Sequence, residues 1–250
     1  MAIPSAALAY KRSALMTATK VTTKPPSEEV LRARDSFQDF CVFMGKAPAK
    51  HMLEWHSELC TGEDSECLLG IGGPNTAILA PRGSAKSTVL GLFAAWMIGR
   101  HTAAGKMLRI LYIAYMVDIS RAKSATIKGI LTSNKYREVF PMVRLSKIKR
   151  SDEYWSIDYD FAGIDTAGEE AFTIACGGLK GAITSKRSQL VLIDDPIKSA
   201  ASINNPDIRR EMEQTWSNVI APTMFQGARA ICLGTRFHFD DVHATLFIPK

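Results

Sequence analysis

The sequence predicts an α/β domain built on a mostly parallel central sheet with helices on both faces. Three observations lead there. Short apolar runs alternate with stretches of helical periodicity between Thr76 and Leu233, the pattern of repeated strand–helix units. One strand–helix corner carries Lys86-Ser87-Thr88. One apolar run, Leu190-Val191-Leu192-Ile193, leads straight into two carboxylates, Asp194 and Asp195. In an open α/β sheet the C-terminal strand ends are where ligands collect.

The 250 residues, 46% hydrophobic, suit one large α/β domain better than two complete ones. The longest apolar runs fall far short of a membrane span, so no membrane is expected as a partner. Five cysteines, Cys41, Cys60, Cys67, Cys176 and Cys232, form no CxxC pair; they predict reduced structural thiols, not a disulfide framework or zinc site. The net charge of +6 is uneven. Lys11, Arg12, Lys20 and Lys24 stand in the first 24 residues without any acid, and the remainder carries 27 basic and 25 acidic residues. The body is therefore close to neutral, and composition alone does not indicate DNA binding. Residues 1–30 are expected to form a flexible arm ending around Lys24-Pro25-Pro26, and residues 31–250 the folded domain.

From Ser27 the pattern turns globular. Ser27-Glu28-Glu29 predicts a helix start, with apolar residues at helical spacing through Phe37, Phe40 and Val42. A second helix is predicted from Lys50 to Cys60, then a glycine-rich loop from Gly70 to Asn75. Strands are expected at Thr76–Ala80, Leu108–Met116, Tyr154–Tyr159, Ala171–Ala175, Leu190–Ile193 and Ala228–Leu233. Helices are expected at Val89–Ile98, at Asp118–Thr132 with Asp118 as N-cap, and at Pro206–Val219. The basic run Arg144–Arg150 predicts a solvated surface, with a DNA or partner contact as the alternative.

The chemistry concentrates in Pro81-Arg82-Gly83-Ser84-Ala85-Lys86-Ser87-Thr88, between a predicted strand and a predicted helix. That is where a phosphate-binding P-loop belongs: backbone N–H groups and the helix N-terminus surround phosphate oxygens. Lys86 would reach the β- and γ-phosphates of ATP, and the Ser87 hydroxyl would hold Mg²⁺. Alanines stand where the GxxxxGK[ST] pattern has glycines, at Ala80 and Ala85. An added methyl is expected to fit there if the backbone avoids φ > 0. Asp194 would bind the Mg²⁺ and Asp195 would polarise the attacking water.

PRGSAKST (Pro81–Thr88), LVLIDDP (Leu190–Pro196) and LGTRFHFDDVHATL (Leu233–Leu246) together resemble the large terminase subunits of tailed bacteriophages, over roughly residues 35–250. The resemblance implies a P-loop NTPase of the RecA/ASCE type: the ATPase motor that translocates double-stranded DNA into a procapsid. It further implies a portal protein and a small terminase subunit as partners, a homo-oligomeric ring, and the host cell cytoplasm. It makes Gly234, Thr235 and Arg236 a coupling motif and Arg82 a catalytic arginine inside the loop. Arg187 of the Lys186-Arg187 pair becomes the candidate finger acting on a neighbouring subunit, a solvated turn being the alternative. The family's full-length enzyme adds a nuclease domain, for which the 55 residues after Asp195 leave no room; no nuclease activity is expected. Many terminases have Gly where this chain has Ala85 and Glu where it has Asp195. Trp55 and His56 stand where terminases often contact adenine, although core packing explains them as well. His238 and His243 around Asp240 and Asp241 suit the coupling segment better than a metal site. Competing readings are a helicase or translocase of another P-loop group, and a P-loop interaction module that has lost hydrolysis.

Overall fold

The computed structural model describes residues 25–60, 73–179, 186–241 and 243. The N-terminal arm up to residue 24, the glycine-rich loop before Thr76 up to residue 72, and most of the segment after Asp241 lie outside the described residues.

Strand β1 (Thr76–Leu79) leads into helix α4 (Lys86–Ala103), after three shorter helices, α1 (Glu28–Asp35), α2 (Phe37–Phe43) and α3 (Met52–Leu59). There follow β2 (Ile110–Ala114), α5 (Val117–Thr132), α6 (Asn134–Val139), β3 (Leu145–Arg150), β4 (Tyr154–Ile157), β5 (Ile174–Gly178) and β6 (Ser188–Asp194). The chain continues through α7 (Ala200–Ile203) and α8 (Pro206–Thr215) to β7 (Met224–Gly234). The seven-stranded sheet has the order β1-β7-β6-β2-β5-β4-β3. Its first five strands are mutually parallel, and β4 and β3 continue it antiparallel.

Both faces of the parallel part are covered, which is why its strands are apolar throughout. Ile110, Tyr112, Leu190, Leu192, Ile231 and Leu233 face a core shared with α2, α4 and α5. The alternate residues Leu111, Ile113, Val191, Ile193, Ala230 and Cys232 face a second core with α7 and α8. Adjacent residues serve opposite cores because side chains alternate along a strand. Among the described residues no helix is long and apolar enough to cross a membrane. The four cysteines described are free and buried or half-buried.

Several expected boundaries move, each for a local reason. Helix α1 lies partly inside the stretch 1–30 assigned to the arm: the Ser27 hydroxyl caps it, and Val30 is buried. The first predicted helix is two, because Ser36 ends α1 and its hydroxyl accepts from Asp39 N to start α2. Asp118 is not the cap of α5. Met116 holds that position, and Asp118 in the first turn pairs with Arg121 at 2.9 Å. The predicted helix to Val219 changes at Trp216 into a π turn, with a 3₁₀ turn at Ala221–Thr223. Gly227, at φ +77°, gives β7 an irregularity that lets pairing with β6 start as early as Met224. The basic run Arg144–Arg150 is mostly strand β3, at the sheet edge.

Arg229, fully buried on β7, was not expected. Its guanidinium donates to the carbonyls of Glu58, Leu59 and Pro74 and to Thr76 Oγ1, at 2.8–2.9 Å. The end of α3 supplies two of those carbonyls, so a cation there meets the negative end of the helix. This residue ties the helices preceding the loop to the sheet.

Candidate nucleotide-binding site

Sheet register brings the sequence motifs together. Leu79 at the end of β1 is level with Gly234 at the end of β7, and Leu233 is level with Asp194 at the end of β6. The P-loop, both carboxylates and the Gly-Thr pair thus share the C-terminal edge of three adjacent parallel strands, the crevice position for a ligand in such a sheet. Two main-chain bonds lock this edge: Ala80 N donates to Gly234 O at 3.0 Å and Asp195 N to Leu233 O at 2.9 Å.

Lys86, at the first turn of α4, is 4% exposed. Its ammonium donates to Ala80 O (3.0 Å), Pro81 O (2.8 Å) and Thr235 Oγ1 (3.1 Å), and lies 3.7 Å from Asp195 Oδ1. Thr235 Oγ1 is also 3.4 Å from Asp195 Oδ1 and 3.2 Å from Ala80 O. Ser84 Oγ donates to Pro81 O at 2.7 Å, closing the loop on itself. Gly83 and Ala85 both lie in the left-handed region, at φ +84° and +62°. The condition for an easy fit, a backbone without positive φ, is not met at Ala85: the loop geometry prevails over the cost of a Cβ there. Ala80 is not among the positive-φ residues, so its methyl brings no such strain.

Ser87 Oγ donates to Asp194 Oδ1 at 2.9 Å, and Tyr112 Oη donates to Asp194 Oδ2 at 3.1 Å. Asp194 is 2% exposed. Burial raises its pKa above the ordinary carboxylate value, while the Ser87 hydroxyl, the Lys123 charge and the Tyr112 hydroxyl oppose the rise and the Asp195 charge adds to it. A buried carboxylate bonded only by neutral hydroxyls, with a serine hydroxyl beside it, is a donor set that fits a hard divalent cation such as Mg²⁺. Tyr112 and Lys123 were missed by sequence reasoning. Tyr112 sits in an apolar strand where only its hydroxyl hints at a polar neighbour, and Lys123 looks like any helix-surface lysine.

Asp195 takes φ +43° at the end of β6, and its side chain is 42% exposed. Aspartate is among the residue types that tolerate this region. Arg82 is exposed; it donates to Lys198 O at 2.6 Å and lies over the Phe237 ring at 5.5 Å. It thereby joins the P-loop to the segments following β6 and β7. Gly234 is required sterically: a Cβ there would lie 2.3 Å from His243 Nε2. Arg236 is exposed and folds onto the carbonyls of His238 and Phe239. His243 and Asp241 are buried, joined by Nδ1–Oδ1 at 3.2 Å, and Asp241 Oδ2 accepts from Phe237 N and His238 N. These contacts shape the turn after β7, and no group of three or more metal-ligating residues occurs among the described residues.

Arg187 stands apart. It precedes β6 at the end opposite to Asp194, roughly 23 Å along the strand at 3.3 Å per residue, and stacks at 5.9 Å over Phe225. It cannot reach the phosphate loop of its own chain. Trp55 and His56 belong to α3. His56 is buried against Phe37, ring centroids 4.5 Å apart, and Trp55 packs on the same core. Neither lines the cavity of about 340 Å³ beside Ser87 and Thr88, which Met44, Lys46, Tyr112 and Lys123 help to form.

No family model matches the sequence, and no curated protein matches it. Among solved structures, the chain is similar to phage large terminase ATPase domains. That of Thermus phage P74-26 superposes with TM-score 0.44 at 16% identity, covering 86% of this chain and 71% of that one. The N-terminal domain of the DNA packaging ATPase from bacteriophage phi29 gives TM-score 0.42 at 16% identity, covering 71% and 81%. The bacteriophage HK97 large terminase gives TM-score 0.45 at 12% identity over 85% of this chain, which spans 39% of that protein's length.

Proposed function

We propose that this chain is the ATP-hydrolysing motor domain of a phage terminase large subunit, working in the host cell cytoplasm to drive double-stranded DNA into a procapsid. The observation that carries the reading is the meeting of Lys86, Ser87, Asp194, Asp195 and Thr235 at one edge of three parallel strands. In this reading Lys86 and the N–H groups of Pro81–Thr88 (Pro81 itself excepted) hold the phosphates of ATP. Ser87 and Asp194 hold Mg²⁺, which when bound neutralises charge on the transferring phosphoryl group. Asp195 orients and polarises the water that attacks the γ-phosphorus as the bond to the β-phosphate oxygen breaks. Thr235, in contact with both Lys86 and Asp195, relays the state of the loop to Gly234, Arg236 and the turn beyond β7. Arg82 is the arginine of the chain's own loop, and Arg187, too distant for its own site, acts on a neighbour in a homo-oligomeric ring assembled with the portal protein and the small terminase subunit.

ATP turnover of the purified chain with and without Lys86→Ala tests the reading. Loss of about 10²-fold or more is expected, from removing a buried charge at the phosphates. Near wild-type turnover in a folded variant would refute the P-loop assignment. Asp195→Asn is expected to keep nucleotide binding and lose turnover. The Arg187 assignment predicts that Arg187→Ala and Lys86→Ala chains, each inactive in assembled rings, regain activity when mixed; absence of rescue in verified rings removes Arg187 from the mechanism.

A further inference from the structure

At the β3 edge of the sheet, far from the motif residues in sequence, a groove of about 790 Å³ is lined by Lys128, Arg137, Arg144, Lys149 and Arg150 around Trp155. The cations come from separate elements: the last turns of α5, α6, the segment before β3, and β3 itself. No carboxylate is among its lining residues.

Several basic side chains outside the groove pair with acids: Arg100 with Asp35, Arg109 with Glu169, Arg121 with Glu153, Lys186 with Glu170. In the groove only Lys128 has a carboxylate within ion-pair distance among the described residues, Asp152 at 2.9 Å, and the Lys149 charge also acts on Glu170 from farther off. Lys149 Nζ donates to Ala171 O at 2.6 Å, Arg150 Nε donates to Ser146 O at 3.0 Å, and the Arg144 guanidinium lies 3.7 Å from the centroid of Phe161. Carbonyls and a ring fix these groups and leave most of their charge uncancelled. Since the chain beyond residue 24 is nearly neutral, the result is a local, preorganised positive surface. Such a surface suits a polyanion with regularly spaced phosphates.

The aromatic groups decide between nucleic-acid forms. Single strands are held by bases stacked on exposed rings. Here Trp155 is fully buried, its Nε1 bonded to Ser124 Oγ at 2.6 Å, and Arg144 covers Phe161. The groove offers cations without a stacking platform, which matches a duplex read by its backbone.

We propose that this groove holds the phosphate backbone of duplex DNA, and that α5 connects it to the nucleotide site. Lys123 and Thr126 of α5 line the cavity beside Ser87, and Lys128 and Thr132 of the same helix line the groove. The inference rests on the motor reading for the identity of the duplex, and it locates a contact surface which that reading leaves open.

The test uses the whole chain, a random-sequence 30-base-pair duplex, and fluorescence anisotropy between about 50 and 200 mM salt. Arg137→Gln with Arg150→Gln removes two exposed cations; Arg210→Gln, on α8, is the control outside the groove. Losing two phosphate contacts flattens the slope of log K against log salt by about 2 and weakens binding about 10- to 100-fold at 0.1 M salt, whatever the sequence. The control keeps wild-type values, and ATP turnover without DNA is unchanged in all three proteins. Arg144→Gln alone, flattening the slope by about 1, serves if the double variant melts early. Wild-type binding by the folded variants, or no duplex binding by the wild type at the lowest salt, overturns the groove and leaves the motor reading intact. Tighter groove-dependent binding of single-stranded DNA or of RNA overturns the duplex assignment. Groove-dependent DNA binding by a chain without Lys86-dependent ATP turnover refutes the motor reading and leaves the groove.

Discussion

Replacing Ala85 by glycine is expected to stabilise the protein, whereas the same change at Ala80 is expected to destabilise it. Both alanines occupy glycine positions of the P-loop pattern, and their backbones and burial distinguish them. Ala85 sits at φ +62°, ψ +23° and is exposed, so its methyl contributes strain and no burial. A left-handed alanine costs about 1–2 kcal/mol. Glycine relieves that and adds about 0.4–1 kcal/mol of unfolded-chain entropy, which leaves a net gain of about 0.5–1 kcal/mol. For a domain of this size that raises the melting temperature by about 1–4 °C. Ala80 is 9% exposed and not at positive φ. Glycine there loses a buried methyl, about 0.8 kcal/mol, and gains backbone entropy to lose, so melting falls by about 2–6 °C. Scanning calorimetry of the two single variants without nucleotide is the assay. If both shifts have the same sign, the strain assigned to Ala85 is wrong.

Three other perturbations test the site and its surroundings. Tyr112→Phe removes one hydrogen bond to Asp194; the Mg²⁺ concentration for half-maximal nucleotide binding is expected to rise about fivefold, from about 1 kcal/mol of lost support, and an unchanged Mg²⁺ titration would count against the role. Gly234→Ala drives a methyl into His243 and is expected to cost about 1–3 kcal/mol in urea unfolding; adding His243→Ala should recover most of the coupling, and additive losses would exclude the clash. The buried His101 has its pKa lowered from 6.5 to about 4 by burial, with Lys106 and Arg100 adding to the effect against the Met97 carbonyl. Below pH 6.5 the unfolded chain therefore takes up a proton that the folded chain refuses, and about 3 kcal/mol of stability is lost between pH 6.5 and 4. His101→Gln should flatten that part of the urea-unfolding pH profile, and an identical profile would show that another group causes it.

Much of the site was legible because its parts are short and contiguous. Lys86-Ser87 and Asp194-Asp195 stand out as candidates by residue type next to a strand, and parallel register brings them together. The parts that were not legible depend on distance in space. Tyr112 becomes informative only when β2 and β6 are seen as neighbours, and Lys123 only when α5 is laid against the loop. The strands were found where both cores demand apolar residues. Strand β3 was missed because RLSKIKR pairs on one side only and keeps its charges in solvent. Arg229 gives no signal in sequence, since the three carbonyls and the hydroxyl that it bonds are more than 150 residues away. The left-handed Ala85 reverses a local rule: propensity argues against that conformation, and the loop imposes it.

The arithmetic of protons on Lys86 has a consequence. An ammonium has three N–H bonds to give, and four oxygens already surround this one: two loop carbonyls, the Thr235 hydroxyl and, somewhat farther, the Asp195 carboxylate. An anion entering the loop adds a fifth claimant, and some earlier partner must yield. The carbonyls belong to the loop itself, whereas Thr235 and Asp195 stand at the ends of β7 and β6. Release of Thr235 or Asp195 would register the filling of the loop on a different strand from the one that binds, with a single nitrogen as the messenger.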